Sequence, residues 1–199
     1  MTERDDSAFY GNLDGTLEEA WRMLDSGASD RRAAFHTPTL ASLSLDGAPS
    51  ARTVVLRRVS RVEGWLQVHT DRRSEKAREV LADPRVSLHL YDPTAKVQLR
   101  IAGLASLHTD DAVADEAWAR SRSFSRECYR IEPGPGTPLA DPHEAVIPQV
   151  ENPEAGREHF AVLRVQVQTL EWLYLAARGH RRARFDWRGE EIDARWLTP

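Results

Sequence analysis

SARTVVLRRV at residues 50–59 and HTDRRSEKAREV at residues 69–80 gather arginines and a lysine around one strand-like and one helix-like segment. The first alternates and is rich in β-branched residues, as a strand is. The second leaves an extended start and opens a helix at Ser74, with Arg73 and Lys76 beside it. A helix start offers free backbone N–H groups and the positive end of the helix dipole, so cations set around one point to a phosphate site.

Working outward, residues 39–45 (TLASLSL) alternate, Asp46-Gly47 is a hairpin turn signal, and residues 51–59 alternate again, which predicts an antiparallel pair. Residues 65–70 (WLQVHT) follow the Glu63-Gly64 turn as a third strand, and the helix over residues 74–82 closes at Asp83-Pro84. Residues 85–91 and 97–107 add two strands. Upstream, Leu13, Leu17, Ala20, Trp21 and Leu24 have helical spacing over residues 13–26, with Gly27 as the stop. Downstream, residues 110–121 begin with acids, as a helix start favours, and turn Trp118 toward the core. Residues 131–157 are rich in Pro and Gly and read as an ordered functional loop or a flexible flap. Residues 160–167 form a strand that residues 170–175 continue past a bend, and residues 182–187 and 191–196 form a terminal hairpin across Arg188-Gly189. Many antiparallel strands with few helices predict a mainly β fold, a closed or nearly closed barrel without exposed edges. One domain is expected over residues 1–199, with residues 1–38 as an N-terminal helical segment.

Composition narrows the function. A hydrophobic content of 41% over 199 residues builds one sizeable core. A formal net charge of -4 excludes a general binder of nucleic acid, so the basic residues act locally. No apolar run is long enough to span a bilayer, which argues against a membrane partner, and the start MTERDDSAFYG is too charged for a signal peptide. With Cys128 as the single cysteine, a cytoplasmic location is expected. Cys128 has no identifiable base nearby in sequence. His89 and His108, like His69, lack a Cys or carboxylate at ligand spacing, so no metal is expected.

The order of parts resembles a family. R-x-V-x-L-R in ARTVVLRR, the step HTDRRSEK, the DPRVSL after it, the glutamine of VQLRIAG and the close HRRARFDW…RWLTP are together similar to the pyridoxamine 5′-phosphate oxidase-like flavoproteins. The W…SRECY…PGPGTPL segment resembles the uncharacterised branch of these proteins. The resemblance implies an antiparallel FMN-binding split β-barrel with peripheral helices, a homodimer with FMN at the subunit interface, and a small-molecule substrate. It implies that Arg52 and Lys76 hold the FMN phosphate, that Thr70 and Ser74 add hydroxyls, and that Arg52, Thr53, Val54, Val55, Leu56 and Arg57 lay their backbone along the isoalloxazine ring. His69 and Glu75 join this cofactor set, Gln98 meets the pyrimidine edge, and Arg184 contacts the flavin. Ser123, Ser125 and Arg126 either reach the phosphate from the partner subunit or simply end a helix. Trp172 and Trp187 either wall the cleft or belong to the core.

Two departures bear on activity. Glu75 stands where the oxidases have an arginine, so a cation is exchanged for a carboxylate. At the substrate end, which would use Arg57, His180 and Arg182, the family's arginine-then-histidine order is reversed, and the two side chains are not interchangeable. Arg57 is the one clear cation for a substrate phosphate on the first strand. The resemblance therefore implies an FMN-dependent oxidoreductase with an altered substrate site. A non-catalytic flavin carrier or sensor, a true pyridoxamine/pyridoxine 5′-phosphate oxidase, and a barrel for another ligand such as haem or a deazaflavin remain alternatives.

Overall fold

A computed structural model of the chain describes Phe9 and residues 11–175, 179–189 and 191–199; the charged start at residues 1–8 lies outside the described residues. Helix α1 (Leu13–Ser29) leads into strands β1 (Thr39–Leu43), β2 (Pro49–Thr53), β3 (Leu56–Ser60) and β4 (Trp65–Asp71). Helix α2 (Glu75–Ala82) follows, then β5 (Arg85–Asp92) and β6 (Val97–His108). Helices α3 (Ala112–Arg120) and α4 (Ser123–Arg126) precede the long loop, and β7 (Phe160–Tyr174), β8 (Arg181–Arg188) and β9 (Glu191–Leu197) complete the chain.

The strands form one antiparallel sheet in the order β2-β1-β5-β6-β7-β4-β3, with β8 paired to β7 and β9 to β8. Its two edges, β2 and β3, are consecutive in the chain and separated only by Val54 and Val55. The covalent chain thus joins the edges of an otherwise hydrogen-bonded barrel, which is a split β-barrel. The expected continuous strand over residues 51–59 is therefore two strands with different partners, β2 on β1 and β3 on β4. The break is invisible in the pattern because alternation runs through it: Val54 and Leu56 both turn into the core. The Val54 N–H leaves the ladder and donates to the Pro38 carbonyl at 2.9 Å.

Inside, Leu40, Leu66, Leu88, Leu99, Leu170 and Trp172 are fully or almost fully buried, and α1 adds Trp21 and Leu24 to the same cluster. Trp172 is edged by Phe9 at 5.8 Å, and Trp187 packs on the cluster with its ring 6.4 Å from Trp21. Within the chain Trp172 belongs to the core, and Trp187 is partly buried against it. Gly27 does not stop α1, which runs two residues further. It lets the following turn approach, since a Cβ there would stand 2.7 Å from the Phe35 carbonyl oxygen.

Strand β7 is the spine, 15 residues long, paired to β6 along its length and passing from β4 to β8. The bend expected after residue 167 is a bulge: the β6–β7 register shifts between Ala102 and Gly103. Trp118 lies 3% exposed in a second cluster with Tyr129 and Phe160. The loop over residues 131–157 is tied down by a bridge between Glu132 and Val146, by Arg73 on Glu132 at 2.7 Å, and by the Trp118 indole on Glu154 at 2.6 Å.

A Cβ at Gly103 would lie 2.1 Å from the Gln166 carbonyl oxygen, backbone that cannot yield without breaking the bulge. Gly103→Ala is expected to cost about 2 kcal/mol or more by overpacking, read as a lower urea midpoint. Gly11→Ala, with nothing within 4 Å of the added carbon, is the control and leaves the midpoint unchanged.

Candidate functional site

The two basic segments of the sequence meet beneath α2. Arg52, on β2 opposite Leu40, turns inward, donates to the hydroxyls of Ser42 and Ser50, and pairs through Nη2 with Glu79 at 2.7 Å. Ser42 donates to the same Glu79 oxygen at 2.6 Å. From α2, Lys76 Nζ donates to the Thr70 hydroxyl at 3.1 Å, and Thr70 and Ser74 hydroxyls lie 3.2 Å apart. Burial lowers the Lys76 pKa and the Arg52 charge lowers it further, while Asp71 and Glu79 pull the other way. Burial alone would raise the Glu79 carboxyl, but hydrogen bonds from Ser42, Ser50 and Arg52 outweigh it and hold the group below the usual carboxylate range.

Ser74 occupies the N-cap position as expected, but its hydroxyl donates to the Asp71 carbonyl at 2.7 Å and makes no capping bond. The backbone N–H groups of Glu75 and Lys76 consequently have no acceptor among the described residues. Cations, hydroxyls and open helix-start N–H groups converge, the donor set an oxyanion needs. Glu75 itself is exposed, and its side chain lies within 4 Å of where a Cβ on Gly136 of the long loop would stand. Arg73, anchored on Asp71 and on the Glu132 carboxylate, holds the loop and leaves the cradle to Arg52 and Lys76.

A cavity of about 370 Å³ opens on the outer side of β3 and β4, walled by Arg57, Arg58, Gln67, His69, Arg120 and Arg122, with Ser125 and Tyr129 behind. Arg58 and Arg120 share Glu116, whereas Arg57 and Arg122 have no carboxylate partner among the described residues. Arg57, the one clear cation expected on the first strand, is joined there by cations from elsewhere: helix α3 and the turn after it bring Arg120 and Arg122 to the same cavity, a contact across the fold that strand-by-strand reading cannot see. Arg126 lies over the Trp118 ring at 4.7 Å and bonds the Trp118 carbonyl, so it serves the second core cluster. Cys128 donates to the Ser125 carbonyl, and burial pushes its thiol pKa up, away from reactivity.

The other site residues of the sequence reading fall elsewhere. Thr53, Val54, Val55 and Leu56 form the split itself. Gln98 pairs with Leu173 and Arg184 with Glu171, on the outer face at the far end of β7 from Thr70, which pairs with Ala161. Leu173 and Ala161 are twelve residues apart, about 40 Å along a strand. Arg182 is held by Glu171 at 2.7 Å, Arg184 by Glu171 and Asp186, and His180 is exposed just before β8. Sequence reasoning missed Ser42, Ser50 and Glu79. The available signal was Glu79 itself, a carboxylate on the buried side of a short helix next to Val80.

Residues 18–109 match the family "Pyridoxamine 5′-phosphate oxidase, FMN-binding domain". The chain is 30% identical over 134 residues to pyridoxine/pyridoxamine 5′-phosphate oxidase 2 of Arabidopsis thaliana, covering 62% of this chain and 67% of that protein. The chain belongs to the pyridoxamine 5′-phosphate oxidase family. A pyridoxine/pyridoxamine 5′-phosphate oxidase of Anaeromyxobacter dehalogenans is 33% identical over 135 residues, 65% of this chain and 66% of that one. The same fold occurs in a pyridoxamine 5′-phosphate oxidase-related FMN-binding protein of Nostoc punctiforme, with TM-score 0.76 and 21% identity over the full length of both chains. It occurs also in PhzG of Burkholderia lata, solved with tetrahydrophenazine-1-carboxylic acid, with TM-score 0.71 and 20% identity over 100% of this chain and 98% of that one. The cofactor of this oxidase-family domain is FMN. The cradle's chemistry fits its phosphate: a dianion would meet Arg52, Lys76, the Thr70 hydroxyl and the open N–H groups of Glu75 and Lys76.

His69 packs edge-on against Phe160 at 5.0 Å, and its pKa is pushed down to about 4 by burial and by the Arg57 charge. A depressed histidine takes up its proton in the unfolded chain first, so stability is full above about pH 6.5 and falls as pH drops toward 4. The loss is expected to reach at most about 3 kcal/mol. His69→Gln should flatten that part of the stability profile, measured by urea unfolding from pH 7 to pH 4.

Proposed function

We propose that the chain is one subunit of a homodimeric FMN-dependent oxidoreductase whose substrate is a small anion, with a substrate site altered from that of the pyridoxamine 5′-phosphate oxidases. When bound, the flavin supplies hydride or electron transfer. The protein's part is to hold it by its phosphate through Arg52, Lys76, Thr70 and the open N–H groups of Glu75 and Lys76, and to orient the substrate. The observation that carries the reading is the arginine-walled cavity beside the split: Arg57 ends the segment that Arg52 begins, and Arg57 and Arg122 are without carboxylate partners among the described residues. A protein that only carried flavin has no need of two uncompensated guanidiniums in a separate cavity. Phosphate and carboxylate both suit such groups, and the carboxylic acid bound by PhzG is an anion of the second kind.

Two copies are inferred from the register. Gln98 and Arg184 face outward, about 40 Å and about 33 Å along β7 from Thr70, and cannot meet the same flavin from within one chain. A second copy supplies them. His180 and Arg182 would then line the substrate side, but the reversed order, with Arg182 held by Glu171, removes the arrangement a pyridoxine ring would use.

FMN is expected to copurify and to be released as such for mass spectrometry. Each charge-assisted phosphate contact contributes on the order of 1.5–3 kcal/mol, so the double variant Arg52→Ala, Lys76→Ala should emerge largely as apo-protein; full flavin occupancy there refutes the cradle. Light scattering of the wild type should give a dimer, and a flavin-loaded monomer would refute the shared site. With saturating FMN under air, pyridoxal 5′-phosphate formation from pyridoxamine 5′-phosphate should be far below the roughly 1–1000 per second of ordinary enzymes. Turnover in that range would make the protein a vitamin B6 oxidase and overturn the altered substrate site.

A further inference from the structure

A buried carboxylate in an anion site is a contradiction to be explained. Glu79 is 3% exposed, on the inner side of α2, in the same cluster as Arg52 and Lys76. By charge alone it repels a phosphate dianion and offsets one of the two cations that would bind it. We propose that Glu79 is the positioning residue of the cradle: it fixes the Arg52 guanidinium and keeps the Arg52–Lys76 pair assembled, and its anchoring outweighs its repulsion of the phosphate.

The geometry supports this. One Glu79 oxygen accepts from Arg52 Nη2 at 2.7 Å and from Ser42 at 2.6 Å, and Ser42 also accepts from Arg52 Nη1. Arg52 is therefore held at both terminal nitrogens, while its Nε–H and one Nη1 N–H have no acceptor among the described residues. A flexible side chain that would otherwise lose rotamer freedom on binding has lost it on folding. Glu79 also raises the Lys76 pKa against the lowering by burial and by Arg52, so it supports the charged ammonium as well. Two partly buried cations near each other repel, as the lowering of the Lys76 pKa by Arg52 shows, and the carboxylate that pairs with Arg52 and favours charged Lys76 is what lets both face an incoming anion.

The inference rests on the proposed phosphate assignment, and comparing FMN with riboflavin separates the two. Riboflavin presents the same ring without the phosphate, so only the FMN-over-riboflavin preference reports the cradle. Dissociation constants of the apo-protein for both are measured by quenching of flavin fluorescence. Glu79→Gln should weaken FMN at least about tenfold, leave riboflavin within about twofold, and have a much smaller effect in an Arg52→Ala background, where only its support of Lys76 is left to lose. A preference that stays or rises in Glu79→Gln, or an equal loss with and without Arg52, overturns the positioning role. If Arg52→Ala itself keeps the preference, the phosphate assignment falls and this inference with it. Should Glu79→Gln not fold, Ser42→Ala, which removes the hydroxyl linking the two side chains, carries the same test with the same expected direction.

Discussion

The structure depends on one exchange of partners. Between Thr53 and Leu56 the chain leaves β1 and joins β4, so the segment that closes the barrel has no ladder across it. From β2 through β1, β5, β6, β7 and β4 to β3 neighbouring strands are hydrogen-bonded to one another. Here the closure is covalent, with the Val54 N–H diverted to Pro38 and the side chains of Val54 and Leu56 buried to hold the seam. Alternation carried through the seam turns Arg52 inward toward α2 and Arg57, a few residues on, to the outer cavity. A single uninterrupted strand would still alternate its side chains, but it would remain in the ladder, with its backbone committed to a neighbour.

Charge is handled locally throughout. The acidic total conceals cations that are paired, tethered or left open according to place. Arg73 is neutralised by Asp71 and Glu132 and serves the loop; Arg182, Arg184 and Arg195 share Glu171, Asp186 and Asp193 on the outer face. Exposed pairs of this kind add little stability individually, but they fix side-chain directions. In the cradle a buried carboxylate holds the guanidinium, and on the cavity wall Arg57 and Arg122 have none among the described residues.

Much of the fold was legible because its signals are local. Alternation at residues 39–43, the Asp46-Gly47 turn, helix α2 closing before Pro84, and the hairpin across Gly189 each follow from side-chain period and turn chemistry within a few residues. Gly27 and the seam were not, since both are set by what approaches from far along the chain: the Phe35 carbonyl in one case, the change of strand partner in the other. The Arg52–Lys76 cradle could be read from residue types at a strand and a helix start. Glu79, Ser42 and Ser50 could not, because they reach Arg52 only when α2 folds over the inner ends of β1 and β2.

The sequence by itself therefore determined most of the strands and helices, the mainly β class and the family, and it pointed to basic residues around positions 52 and 76 that would suit a phosphate. Only the tertiary structure decided that one alternating run is two strands, that five arginines from three separate segments wall one cavity, and that Gln98 and Arg184 stand at the opposite end of β7 from Thr70. The division has a physical cause. Backbone preference and hydrophobic period act over a few residues and leave their mark in the local pattern, whereas register and charge pairing act between segments tens of residues apart and exist only once the barrel has closed.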